Sequence, residues 1–327
     1  MLSSVAERVY WLGRYLERAE NQARLLNVYS ALLFDLPRGT NIGWSTLIDI
    51  TGSNEEINKR SLNLDERSIT RFLMTDSSNP MSIFSNLRMA RENARTSREV
   101  IPSEAWEHIN YLYLHAKDNI AGNVSRSRRN ELLNQIIANC QLITGLLSGS
   151  MSHDTTYAFI HLGRKLERAD MTTRIVDVGS ISLFPGFGHS SKERALLEPY
   201  ENVVWMSVLR SLSGYQAYRQ RIHNRVSGEE VVRFLLQDEH FPRSVSFCLA
   251  DLNFFLQKLP MNENVQRAVA RVQRVCKVVD IKELLQRGLL DFIDELQISI
   301  ADIHEELTAT WFMPEVVESQ SQSQAAS

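Results

Sequence analysis

The chain has 327 residues, 43% hydrophobic and 23% charged, which is enough for one large folded unit or two ordinary ones. Its 36 Lys and Arg nearly balance 39 Asp and Glu, for a formal charge of -3, so nothing in the balance asks for a nucleic-acid or anionic-membrane partner. Three scattered cysteines without CxxC spacing (Cys140, Cys248 and Cys276) read as reduced core thiols, and no uncharged apolar run reaches the roughly 18–20 residues of a membrane span; the expected location is cytoplasmic.

Glycine (14) and proline (8) are scarce, β-branched alternation is nearly absent, and the apolar period is helical throughout. In chain order the pattern predicts a long helix over 3–35, ended by Pro37-Arg38-Gly39, then short helices over 44–51, 54–60 and 65–74 inside a polar stretch, 38–64, that also reads as a surface loop. Long helices follow over 80–100, 102–121, 126–148 and 154–179, the last ended by Phe184-Pro185-Gly186. Further helices are predicted over 190–224 (broken near Gly214), 228–238, 243–258, 261–278 and 280–312. Pro80 and Pro242 are read as first-turn residues of their helices, and Asp76 and Asp238 as the turn residues before them. Residues 314–327, rich in Gln and Ser, are predicted to be a disordered tail. The fold class is all-α.

The chain repeats itself. Residues 12–19 read LGRYLERA and 162–169 read LGRKLERA; Glu20 answers to Asp170 and Arg24 to Arg174. Trp44 with Leu47-Ile48 matches Trp205 with Val208-Leu209, and FLMTDSSNPMSI (72–83) matches FLLQDEHFPRSV (234–245). The shifts are 150, 161 and 162 residues, so two similar halves, about 1–150 and 151–313, are expected in a single domain over 1–313. That makes the predicted architecture a helical bundle built from two pseudo-symmetric duplicated halves.

On the first helix Val5, Leu12, Leu16, Ala19, Ala23 and Leu26 form an apolar stripe, and Arg14, Glu17, Arg18, Asn21 and Arg24 lie opposite. Apolar residues flank that charged band on both sides, which is the mark of a central helix. Arg164, Glu167 and Arg168 make the same band on the second motif helix, followed by Asp170 and Arg174. Pairing is expected within each helix: Arg14–Glu17 and Arg164–Glu167 at i, i+3, with Glu20–Arg24 and Asp170–Arg174 at i, i+4. Each copy still carries three Arg against two carboxylates. A third cluster at 90–99 sets Arg91, Arg95 and Arg98 against Glu92 and Glu99. Surplus guanidinium groups in a recess suit a carboxylate or phosphate ligand, while a purely structural network is the equal alternative, because buried charge must be paired whatever its use.

These motifs resemble the bacterial alpha-E family, an all-helical domain of uncharacterised function with a Glu-Arg motif. The resemblance rests on VYWLGRYLERAENQAR (9–24), MARENARTSREVIPSEAW (89–106), FIHLGRKLERADMTTR (159–174), SVLRSLSGYQAYR (207–219) and FPRSVSFCL (241–249). It implies a helical protein that works beside circularly permuted ATP-grasp ligases and transglutaminase-like proteins, in peptide synthesis, tagging or modification. It carries no agreed catalytic residues and implies no cofactor.

Motifs of catalysis are few. There is no Walker A sequence, GxSxG elbow, HExxH or Glu-x-x-His; GFGHSS (186–191) reads as a turn. His153 and His161 could supply a base or a metal pair, though capping by Asp154 is the simpler reading of that region. His108 and His115 read as surface residues, and the tryptophans with Tyr10, Tyr15, Tyr111 and Tyr113 as core. Glu17 or Glu167 would be the base if the protein were a transferase or hydrolase, a role that neighbouring arginines weaken. The expectation is a binding or accessory component.

Overall fold

The longest helix among the described residues is α1, Ser3–Asp35. It is apolar nearly all round, as its sequence requires, and it buries Arg14, Glu17, Glu20, Asn21 and Gln22 along with its leucines. The structure, a computed structural model, describes residues 2–36, 43–60, 62–120, 125–181 and 198–313. The predicted stops at Pro37-Arg38-Gly39 and Phe184-Pro185-Gly186, the GFGHSS turn and the tail lie outside the described residues.

All regular structure among the described residues is helical. After α1 come α2 (Thr46–Thr51), α3 (Asn54–Arg60) and α4 (Glu66–Met74), then α5 (Ile83–Arg95), α6 (Ser103–Ile120), α7 (Arg126–Ser150) and α8 (Thr155–Ile181). A 3₁₀ turn at Glu198–Tyr200 leads into α9 (Glu201–Ser211), α10 (Tyr215–Arg221), α11 (Gly228–Gln237), α12 (Val245–Leu256), α13 (Glu263–Val278), α14 (Ile281–Arg287) and α15 (Leu289–Leu307), which closes in a π turn over Thr308–Phe312.

Differences from the sequence reading have local causes. Within the stretch 38–64, the described residues form the two short helices expected there, and α2 and α3 bury Leu47, Ile48, Ile50 and Ile57 where a surface loop was the other reading. Pro80 and Pro242 sit in turns, not in first helical turns. The helices begin later, at Ile83 and Val245, because Ser82 and Ser244 accept hydrogen bonds from the backbone N–H of Ser85 and Phe247 as N-caps. Asp76 and Asp238 do hold the preceding turns, accepting from Ser78 N–H and from His240 and Phe241 N–H. The helix expected over 280–312 breaks at Gly288, whose φ of 147° lies where only glycine is at ease. Tyr111 is 53% exposed and stacks on His115, so it is not core.

The centre of the molecule is the crossing of α1 and α8. α1 also packs on α5, α7, α9 and the π turn, and α8 on α12, α15 and α2. The crossing is close because of two glycines. A Cβ on Gly13 would collide with the Ile160 carbonyl oxygen, and one on Gly163 with the Tyr10 carbonyl oxygen. Each glycine therefore meets the residue three before the other, and no larger side chain fits at either place.

Candidate functional site

The crossing fixes what the charged bands do. With backbones in contact at the glycines, the residues one turn on face the opposite helix and not their own. Arg14 Nε donates to Glu167 Oε2 at 2.8 Å; Arg18 donates from Nε to Glu167 Oε1 at 2.5 Å and from Nη2 to Oε2 at 2.8 Å. The other side answers atom for atom. Arg164 Nε donates to Glu17 Oε2 at 2.8 Å, and Arg168 donates from Nε to Oε1 and from Nη2 to Oε2, both at 2.7 Å. The pairs expected within each helix, Arg14–Glu17 and Arg164–Glu167, are thus exchanged for pairs across the crossing. Bidentate guanidinium–carboxylate bonds such as those of Arg18 and Arg168 are the strongest charge-assisted type.

Arg243, from the turn before α12, completes one side. Its Nη1 donates to Glu17 Oε1 at 3.0 Å and to Asn21 Oδ1 at 2.6 Å, and its Nη2 to Glu20 Oε1 at 2.7 Å. Arg24 Nη2 meets the same Glu20 oxygen at 2.7 Å. Met81 holds the matching place on the other side and offers its sulfur to Arg18 Nη1 at 3.5 Å. Asp170 and Arg174 pair at 2.9 Å within α8. The sequence shows Arg243 within a matched segment but gives no sign that it belongs to the site. Nothing in a run of FPRSV says which way the arginine turns.

The 90–99 cluster is elsewhere. Arg91 donates to Asn110 on α6 at 2.7 Å and lies over the rings of Trp106 and Tyr113. Arg98 stacks on Trp106 at 4.0 Å from the ring centroid. Arg95 and Glu92 form an exposed pair on α5. These three arginines tie α5 to α6 or face water, and the structure does not bring them to the crossing.

Burial alone would raise the Glu17 carboxyl, but the charges of Arg168, Arg243 and Arg164 outweigh it and hold the group well below the usual carboxylate range. Glu167 is likewise penalised by burial yet brought down to about 2 by Arg18 and Arg14. Both therefore stay ionised, with each oxygen already holding a guanidinium. Arg14 is further enclosed by aromatic rings: it lies 5.2 Å from the Trp11 centroid, and its Nη1 reaches the Tyr10 hydroxyl, which bonds His304 Nδ1 at 2.8 Å. Burial, then the nearby Arg14 charge, lowers His304 to about 4, so its ring is neutral.

The remaining histidines and the thiols stand apart from such chemistry. Asp154 accepts from the N–H groups of Thr156 and Tyr157 and caps α8. His153 and His161 sandwich Tyr157, with centroid distances of 4.0 and 4.2 Å. His115 bonds Gln135 at 2.7 Å. Cys140, Cys248 and Cys276 are free and buried; burial pushes Cys248 up to about 11 and Cys276 to about 12. Among the described residues no group of three or more His, Cys, Asp or Glu could hold a metal ion.

A family model described as Alpha-E, a predicted alpha-helical domain with a conserved ER motif, matches residues 1–312. The chain belongs to the Alpha-E family. The Glu17-Arg18 and Glu167-Arg168 pairs at the crossing are this chain's two Glu-Arg dipeptides of the LERA repeat. The Alpha-E chain is similar to an uncharacterised protein of Mycobacterium bovis, 25% identical over 338 residues that cover 94% of this chain and 36% of the relative. Uncharacterised proteins of two Mycobacterium tuberculosis strains match over the same extent at 25% and 24% identity. The chain thus spans about a third of the length of these curated relatives. No solved structure matches it. No helix among the described residues is long and apolar enough to cross a membrane.

Proposed function

We propose that this Alpha-E chain is a non-catalytic, binding component of a peptide synthesis or modification system, working beside a circularly permuted ATP-grasp ligase and a transglutaminase-like protein. The observation that carries the reading is the state of the two glutamates. Both are buried, ionised and bridged on both oxygens by arginines of the opposite helix. A carboxylate so held is a poor general base, which argues against an enzyme built on Glu17 or Glu167. Charge left over at the crossing is positive: Arg24, Arg164, Arg168 and Arg243 face only Glu17 and Glu20 on one side. That surplus suits an acidic segment or a carboxylate of a partner. The same duplication that gives two Glu-Arg helices would give the domain, over 1–313, two related halves meeting at the crossing, and the atom-for-atom exchange of ion pairs supports this.

Calorimetric titration with glutamate-rich peptides and with an ATP-grasp ligase tests the reading. Binding should appear, and should weaken at least tenfold in folded Arg18→Ala or Arg168→Ala protein. Absence of binding to either, or binding indifferent to both substitutions, contradicts it. A purely structural role is the second reading, favoured by the saturation of Glu17 and Glu167; it predicts loss of stability in the same variants and no ligand at all.

A further inference from the structure

The arginines that stay away from the crossing lack counter-ions. Arg91 and Arg98 form no ion pair among the described residues, and Arg88, exposed one turn earlier on the same face of α5, makes neither an ion pair nor a hydrogen bond. Only Arg95 is neutralised, by Glu92. The guanidinium of Arg98 lies 4.0 Å from the Trp106 centroid; that of Arg91 lies 5.1 Å from the Tyr113 centroid and donates from Nε to Asn110 Oδ1. Both heads are thus placed along the seam between α5 and α6, over half-buried rings. Stacking uses the flat face of a guanidinium and leaves the N–H donors of its edge for a planar anion. Glu99, Glu104 and Glu107 are exposed on the same stretch of chain, and none of them bonds to Arg88, Arg91 or Arg98.

Packing does not require this row. At a shift of 162 residues, that of the matched prolines, α5 and α12 bury the same positions: Ile83, Leu87 and Ala90 against Val245, Leu249 and Leu252. At a shift of 160, α6 and α13 bury Ala105, Ile109 and Leu112 against Val265, Val269 and Val272. In each case the two helices pack on one another. Where the first pair carries Arg88, Arg91 and Arg95, the second carries Ala250, Asn253 and Gln257. Where the first carries Trp106, Asn110 and Tyr113, the second carries Gln266, Ala270 and Gln273. The same helix pair is built once with small or neutral residues at its seam and once with arginines on aromatic rings.

We propose that the α5–α6 seam docks an acidic segment of a partner protein, laid along Arg88, Arg91 and Arg98. Arginine, tryptophan and tyrosine are the side chains that carry most of the binding energy where proteins meet. Arg88 and Arg95 stand about 10 Å apart along the helix axis, more than one carboxylate bridges, so the occupant is a segment and not a lone small anion. The face of Trp106 that Arg98 covers is closed to a stacked nucleobase, and the formal charge of -3 gives no broad basic field for a nucleic acid.

This inference rests on the reading of the chain as a binding component for acidic partners, and gives such a partner a place of its own away from the crossing. The test is an NMR titration of the whole chain with hexaglutamate, and with a glutamine–glycine peptide of equal length, following the indole N–H signal of Trp106 (assigned with Trp106→Phe). Hexaglutamate should shift the signal saturably, less so as salt is raised, and the neutral peptide should leave it. Arg88→Gln, which removes an exposed side chain without a bond, should weaken binding several-fold. Arg91→Gln combined with Arg98→Gln should weaken it at least tenfold, and Arg168→Ala should leave the Trp106 response unchanged. No shift, or affinity indifferent to both the Arg88 and the paired Arg91 and Arg98 substitutions, overturns the proposal. So does a tighter response to oligouridylate than to hexaglutamate, or self-association of the chain that Arg98→Gln abolishes. Peptide binding lost only with Arg168→Ala would retire the seam and keep the crossing; binding lost only with the seam variants would retire the crossing and keep the seam.

Discussion

A buried guanidinium contributes according to how many carboxylate oxygens it holds and how much water it still sees. Arg168 holds both oxygens of Glu17 and its side chain is 8% exposed; Arg164 holds one and is 16% exposed. Removing Arg168 takes away the bidentate partner of buried Glu17 and leaves that carboxylate to single bonds from Arg164 and Arg243; breaking a buried pair costs up to about 3–5 kcal/mol. Arg168→Ala should therefore lower the urea midpoint far more than Arg164→Ala, whose more exposed place water can reach. Equal losses in the two variants would show that the bonding pattern does not set their weight. The residues of this network were legible in the sequence as types and spacing. Their partners were not, because the i, i+3 spacing of Arg14 and Glu17 also suits a pair within one helix. Only the depth of the crossing decides between the two arrangements. Arg243 was illegible for a different reason: it sits in a turn, where no period gives a direction, and its matched position holds a methionine.

Helix against helix, the closeness of α1 and α8 depends on Gly13 and Gly163. A methyl group at either position meets the partner's backbone carbonyl, which cannot rotate away as a side chain would. The helices must part, and the ion pairs on the next turn lengthen with them. Gly13→Ala and Gly163→Ala should each cost at least the 1–3 kcal/mol typical of overpacking, although alanine favours an isolated helix. Thermal unfolding by circular dichroism would show unchanged helix content with a lowered midpoint. A raised midpoint would mean that helix propensity outweighs the contact. Most helices were readable from apolar period and punctuation, and their ends moved by a few residues wherever a serine cap or a Gly288-type break overrode the period. The glycines of LGR were visible, but a glycine within a helical pattern does not announce a crossing until its neighbour is known.

Over the whole molecule the buried ionisable groups make stability depend on acidity. His161 and His304 are neutral when folded, lowered to about 3 and 4, yet ordinary near 6.5 when unfolded. The unfolded chain takes up those protons first, so stability is full above pH 6.5 and falls as pH drops towards those values. Glu167, brought down from 4.5 to about 2, adds a second loss over that interval, on the order of 3 kcal/mol. Asp177 acts oppositely: burial, with Asp294 and Asp49 nearby, pushes it up to about 6, so its contribution grows as pH falls from there. Denaturant unfolding followed from pH 7 to pH 3 should show a falling midpoint, steepest below pH 5. A flat profile would mean that the carboxylates are not held ionised by their arginines. All-helical class and the position of both motif helices at the centre followed from sequence, since only a central helix is apolar on both sides of a charged band.

The ion pairs of the motif run between α1 and α8 and not along each helix. Double-mutant cycles on urea unfolding measure this directly, with Glu17→Gln combined in turn with Arg168→Ala and with Arg14→Ala. A coupling within the roughly 0.5–3 kcal/mol range of contacting residues is predicted for Glu17 with Arg168, and a much smaller one for Glu17 with Arg14. The reverse order, with Glu17 coupled to its own-helix neighbour and indifferent to Arg168, would contradict the crossing as described.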